Sequence, residues 1–366
     1  FRGKKIKAPE RVLKAINHEE PDRVPAFESA FTNNTIVRHF GVDPSGGRGY
    51  QIMYKFFRKV QIDLVLSYVS LLLRKSLKLG KLYVDEYGRI IKLENQKDGT
   101  LILAYQGGYL KSFEDYESWE KPDPHYEERL KQFFNGKKAQ EELNDEVFSI
   151  PATASILEGP LEGFGLQTFS RILVHPKQAK KVFDDYGNFT VEIVKIFAEN
   201  DAQMVLLWDD YGFKNGLFMK PLYFHKYVFP WLKRVCDAAH KRDCKIMLHS
   251  DGDILEIFED IIKCGVDVIN PIEPTTNNPD YDIFKLHEKF GDRITFSGNV
   301  SPVSLALGEI SEIEEYSKRL IRELAPGGGY LFGSGHSIHP AVTVGRFIAM
   351  DNIRKKYGNY PISVPD

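Results

Sequence analysis

The chain has 366 residues, 42% hydrophobic and 27% charged, with a formal net charge of −2. That length suits one large α/β domain or two smaller ones and allows a substantial core. The balanced charge argues against nucleic acid or an anionic membrane as a partner, and no run of about 18 apolar residues offers a membrane span.

Three cysteines (Cys236, Cys244, Cys264) form no CxxC pair, and a reducing cytoplasm is the simplest setting. The start Phe1-Arg2-Gly3-Lys4-Lys5 is basic, but no apolar segment follows, so it does not read as a signal peptide. From there, apolar spacing predicts a short helix over 8–17 and a first strand over 24–28. A helix over 51–60 leads to an apolar strand over 63–69. Residues 80–111 alternate in character around Tyr87-Gly88 and Asp98-Gly99, and read as antiparallel hairpins inserted into a single domain spanning 1–366. The charged stretch 112–145 suits surface loop and helix.

Beyond it the alternation is regular. Strands are predicted over 146–153, 203–208, 244–249, 266–271, 294–297 and 330–332. Helices are expected over 176–199, 221–240 (kinked at Pro230), 253–263, 280–290 and 311–324, with one more at the C-terminus. Eight strands alternating with helices predict an α/β fold, a (β/α)8 TIM barrel. A doubly wound open sheet gives a similar pattern, but no G-x-G-x-x-G follows the first strand.

Barrel enzymes carry their chemistry at the C-terminal ends of the strands. Those ends hold Glu28, Glu158, Asp209, Asp210, His249, Asp251, Glu273, Asn299 and His336. The fifth strand ends in His249-Ser250-Asp251-Gly252-Asp253, and residues two apart on a strand share a face. His249 and Asp251, with His336 from the eighth strand end, are candidate ligands for a divalent metal, zinc first among them. Asp209, Asp210 and Glu273 are candidate catalytic residues. The competing reading makes Asp251 or Asp253 the cap of the next helix, His249 a hydrogen-bonded structural residue, and Asp209-Asp210 a turn cap. The 18 Tyr and 25 Phe are first a packing feature, though they suit a site for a flat apolar substrate.

Several stretches together resemble the uroporphyrinogen decarboxylase superfamily, which includes corrinoid-dependent methyltransferases. They are Glu10-Arg11-Val12-Leu13, Glu20-Pro21-Asp22-Arg23-Val24-Pro25, Pro221…Tyr227-Val228…Pro230…Lys233, Leu248-His249-Ser250-Asp251-Gly252-Asp253, Gly298-Asn299-Val300-Ser301-Pro302, and the glycine run before the eighth strand. The resemblance spans most of the chain and implies the barrel. The decarboxylases carry an arginine-rich segment after the first strand that grips porphyrinogen carboxylates. Here Ser29-Ala30-Phe31-Thr32-Asn33-Asn34 stands there, with no arginine before Arg38. The thiol-alkylating zinc methyltransferases carry His-x-Cys and a distant second Cys, where this chain has His249-Ser250-Asp251 and Gly335-His336. The resemblance thus implies a methyltransferase of the demethylating type. Its small-molecule methyl donor would be a methoxylated aromatic, and its acceptor the cobalamin of a partner corrinoid protein. A homo-oligomer is compatible with this. The alternatives are a decarboxylase acting on a smaller substrate and a non-catalytic binding member of the superfamily.

Overall fold

Seven strands run parallel in chain order: Leu64–Tyr68, Phe148–Ala154, Met204–Trp208, Lys245–His249, Val268–Asn270, Thr295–Ser297 and Tyr330–Leu331. Residues 26–27 supply the remaining stave. Ala26 bridges Phe332 and Phe27 bridges Leu64, both in parallel, so the two edges of the sheet are joined. A doubly wound sheet would reverse its strand order, whereas this one is sequential and closed. The fold is therefore a (β/α)8 barrel. The structure, a computed structural model, describes residues 6–45, 49–68, 72–77, 82–154 and 156–365.

Side-chain parity builds two cores. Phe27, Leu66, Ile150, Leu206, Met247, Val268 and Leu331 point inward and pack together with Ala8, Val12, Ala15 and Ile16 of the first helix. Their neighbours Val65, Val205, Leu207, Ile246, Leu248 and Ile269 point outward into the larger layer under the surrounding helices. This parity matters for function. Continuing it by two residues puts Trp208 beyond Leu206, His249 beyond Met247 and Asn270 beyond Val268, all on the inward side at the C-terminal mouth.

At the opposite, N-terminal face an ion network ties the ends of the chain together. Asp63 is fully buried and accepts from Arg11 Nη1 at 2.9 Å, from Arg23 Nη1 and Nη2 at 2.8 Å each, and from the Ala26 backbone N–H at 2.9 Å. Asp22 takes the other side of Arg11 at 2.6 and 2.7 Å. Much of the family-like N-terminal motif is therefore structural.

Some elements differ from their expected form. The first strand contracts from 24–28 to two bridging residues, because Pro25 has no N–H to give a ladder. The helix expected over 221–240 is interrupted rather than simply kinked. Pro221–Tyr223 is α-helical, Phe224–Val228 widens into a π turn, and Phe229–His240 resumes the α-helix with Pro230 in its first turn. Two helices between the third strand and residue 176, Glu158–Phe164 and Leu166–Leu173, were not anticipated. Strands Leu73–Leu77, Leu82–Asp85, Arg89–Asn95 and Leu101–Gly108 form a four-stranded antiparallel sheet beside the barrel. Val69 and residues 80–81, included in the expected strand and hairpins, lie outside the described residues. All three cysteines are buried and unpaired, and among the described residues no helix is long and apolar enough to cross a membrane.

Candidate metal centre

The loops after the fourth and fifth strands are locked together backbone to backbone. Gly252 has φ +82°, and a Cβ there would lie 2.3 Å from the carbonyl carbon of Gly212 and from the Phe213 nitrogen. Only glycine permits that approach. The Asp253 N–H donates to Phe213 O at 3.0 Å, and the Asp251 N–H donates to Asp210 Oδ1 at 2.9 Å. Glu273, at the end of the sixth strand, accepts from the Gly252 N–H at 2.8 Å and from the Thr275 hydroxyl. Glu273 thus holds the loop that carries Asp251.

This lock brings three of the expected residues together. Asp210, His249 and Asp251 each offer a ligand atom within 4.8 Å of the other two. Asp251 Oδ1 lies 3.8 Å from His249 Nε2 and, although buried, has no hydrogen-bond partner among the described residues. His336 was expected to stand directly among the ligands. It reaches the group through Asp251, its Nε2 lying 3.2 Å from Oδ2. Asp251 is no helix cap: the local capping-type bond, Leu255 N–H to carboxylate at 3.0 Å, belongs to Asp253.

His249 is fixed by a residue that sequence reasoning missed. Asn270 Oδ1 lies 2.8 Å from His249 Nδ1, while Asn270 Nδ2 reaches Ser297 Oγ at 3.1 Å and Ser297 O at 3.4 Å. A carbonyl can only accept, so the Asn270 amide group faces the seventh strand and its oxygen faces the imidazole. His249 Nδ1 therefore carries the hydrogen, and Nε2 presents its lone pair to Asp251 and Asp210. Trp208 packs edge-on against the ring with centroids 4.3 Å apart. Burial pushes the His249 pKa down, which keeps the imidazole neutral, the form a metal requires. Inward parity was the signal that could have found Asn270.

The carboxylates differ sharply in role. Asp209 is fully buried and accepts from the backbone N–H groups of Ile156 (3.1 Å), Leu157 and Glu158 (2.8 Å each). Burial raises its pKa to about 6 against the pull of those donors. It anchors the helix that begins at Glu158 and makes no contact with the cluster through its carboxylate. Asp210 faces the cluster, and burial together with the adjacent Asp251 raises it to about 8. For Asp251, burial is outweighed by His249 and His336, and its pKa falls. Glu158 is pushed well up by burial and by Asp210. Beside it, Arg89 of the antiparallel sheet is committed to Asp85 (2.6 Å) and Glu162 (3.1 Å), with Glu158 at 3.8 Å.

Glu28 and Asn299 brace the rim. Buried Glu28 accepts from the Ser334 N–H at 3.2 and 3.3 Å and from the Ser334 hydroxyl, and Ser334 also touches His336 O. Asn299 Nδ2 donates to Ile272 O at 2.6 Å, and Tyr316 donates to Asn299 Oδ1 at 2.9 Å.

A closed (β/α)8 barrel with histidine and carboxylate side chains gathered at its C-terminal mouth is the scaffold of an enzyme superfamily. Residues 105–357 match the family profile described as Uroporphyrinogen decarboxylase (URO-D). The chain belongs to that family. It is 23% identical over 209 residues to a uroporphyrinogen decarboxylase of Hydrogenovibrio crunogenus, covering 54% of this chain and 56% of that protein. It is 26% identical over 235 residues to the one from Mannheimia succiniciproducens, covering 61% and 62%. The chain thus spans less than two thirds of the length of these relatives. In three dimensions it is similar to a methyltransferase from Methanosarcina mazei, with TM-score 0.71 and 17% identity over 96% of this chain and 99% of that one. This last likeness concerns the fold.

Proposed function

We propose that the protein is a metal-dependent methyltransferase that removes the methyl group of a methoxylated aromatic compound and passes it to a corrinoid protein. The observation that carries this reading is the orphaned Asp251 Oδ1, buried beside the His249 Nε2 lone pair and Asp210. One imidazole nitrogen and two carboxylates fit a divalent ion such as zinc with a position left for substrate. Two carboxylates this close repel each other, which with desolvation raises the Asp210 pKa, and a cation removes that penalty.

When bound, the ion supplies Lewis acidity toward the ether oxygen, while the partner's corrinoid accepts the methyl group. The chain's own residues do the rest. His249, Asp251 and Asp210 hold the ion, and Asn270 fixes the imidazole. His336 occupies the second oxygen of Asp251 and so aims the first. Glu273 holds the Gly252 turn in register. Oxygen ligands in place of thiolates leave an ion harder and more electrophilic, which suits an oxygen leaving group.

A decarboxylase reading is favoured by the name its curated relatives carry and by Asp210, a carboxyl raised to about 8 that could protonate a carbanionic carbon. Against it, an acidic substrate needs a counter-charge, and Arg89 is already engaged by three carboxylates.

The test is metal analysis of protein purified without chelator, paired with methyl transfer from methoxybenzenes to free cob(I)alamin. One ion per chain, lost together with transfer in Asp251→Ala, is the expected result. Metal-free wild-type protein that still transfers methyl, or that instead releases carbon dioxide from arene carboxylates, would overturn the scheme.

A further inference from the structure

The inward side of the barrel ends, at the mouth, in a row of side chains set by strand register. Ala154 pairs with Trp208, Trp208 with His249, and His249 with Asn270, so these four share one face of neighbouring staves. Ser297, bonded to Asn270, continues the row on the seventh strand.

The two ends of this row differ. His249, Asn270 and Ser297 are at most 5% exposed and are bonded to one another. The other end is apolar and keeps accessible surface. Trp208 is the one residue of its strand that is not fully buried, and Ala154 likewise ends an otherwise buried strand. Leu206 and Ala152, one inward layer below, are buried. The imidazole of His249 lies against the indole with centroids 4.3 Å apart. The accessible part of Trp208 therefore faces the mouth, beside His249 and next to the short side chain of Ala154. An aromatic ring laid on this indole takes apolar surface of both partners out of water and gains the attraction between rings, which an alkyl chain lacks. Ala154 contributes only a methyl group there, so a flat ring finds room that a larger side chain would fill.

We infer that Trp208 is the platform for the aromatic ring of the substrate and that Ala154 keeps the slot beside it open, so that the site selects aryl over alkyl methyl ethers. A ring held there has its substituents beside His249, at the cluster formed with Asp210 and Asp251. Trp208 and Ala154 contact the ring, and neither exchanges a proton or the methyl group. The inference rests on the methyl-transfer reading for the reacting end; recognition of the ring is tested apart from it, by binding.

The experiment compares 2-methoxyphenol with 2-methoxyethanol, which both carry a methyl ether and a hydroxyl and differ in the ring. Binding is measured by calorimetry on the full chain, and methyl transfer with cob(I)alamin as acceptor. 2-Methoxyphenol should bind at least about tenfold more tightly. Trp208→Leu should weaken 2-methoxyphenol about tenfold and 2-methoxyethanol less than about twofold, raising KM more than it lowers kcat. Trp208→Phe keeps a ring and should recover part of the loss. Ala154→Leu should weaken 2-methoxyphenol about tenfold with the indole still in place. Equal binding of the two ethers, no binding of 2-methoxyphenol, or a folded Trp208→Leu or Ala154→Leu protein that binds it as wild type does would each overturn the inference. Selective binding of the aryl ether without methyl transfer would instead overturn the methyltransferase reading and leave the ring platform standing.

Discussion

Replacing Asn270 by Ala probes the most buried joint of the centre. Asn270 is 2% exposed and joins three strands, through its oxygen to His249 and through its amide to Ser297. Losing two neutral hydrogen bonds costs about 1 kcal/mol each, and leaving the His249 Nδ1–H unpaired adds a desolvation penalty of about 1–3 kcal/mol. A total of about 3–5 kcal/mol is expected, read as a lower urea midpoint with Trp208 fluorescence as the reporter. The imidazole also loses its fixed tautomer, so metal affinity measured by chelator competition should fall about 10- to 100-fold. Asn270→Asp keeps an acceptor for Nδ1–H and should recover part of the affinity, though not the bond to strand seven. Full loss of stability with unchanged metal affinity would refute His249 Nε2 as a ligand. A stability change below about 1 kcal/mol would refute the hydrogen-bond assignment itself.

Two further perturbations test the frame. Asp63→Ala takes the carboxylate from the Arg23 guanidinium and leaves Arg11 to Asp22 alone, and calorimetry should show a loss of about 3–5 kcal/mol with the candidate centre intact in any protein that remains folded. The Glu28 carboxyl has its pKa raised from 4.5 to about 8, so across that window the native state keeps a proton that the unfolded chain releases. Stability should therefore fall as pH rises through this range, by up to about 1.4 kcal/mol per unit from this residue. Glu28→Gln should remove that slope from denaturation curves taken across the range; an unchanged slope would show that Glu28 ionises normally.

The barrel was readable because its staves obey simple periodicities. Met204-Val205-Leu206-Leu207-Trp208 and Lys245-Ile246-Met247-Leu248-His249 are apolar runs of strand length, and the helix Pro176–Glu199 keeps its apolar face over its whole length. His249 and Asp251 were singled out because they end such a run. What stayed hidden depends on contacts distant in sequence. The pairing of Arg89 with Glu162 spans 73 residues and is delivered by a separate sheet. Asp209 and Asp210 are adjacent and chemically identical, and only the fold sends one carboxylate to a helix start and the other to the cluster. The π turn before Pro230 likewise follows from packing between helices, which local propensity does not encode.

The contact between Glu28 and Ser334 joins residues 306 positions apart. Ser334 in turn touches the backbone carbonyl of His336, so the last component of the centre is placed by a residue beside the first stave of the barrel. A nascent chain can carry His249 and Asp251 well before it carries their partner. It therefore cannot present a finished centre until synthesis has passed the eighth strand. Any ligand that needs His336 in place can therefore be held only once the eighth strand has closed the barrel.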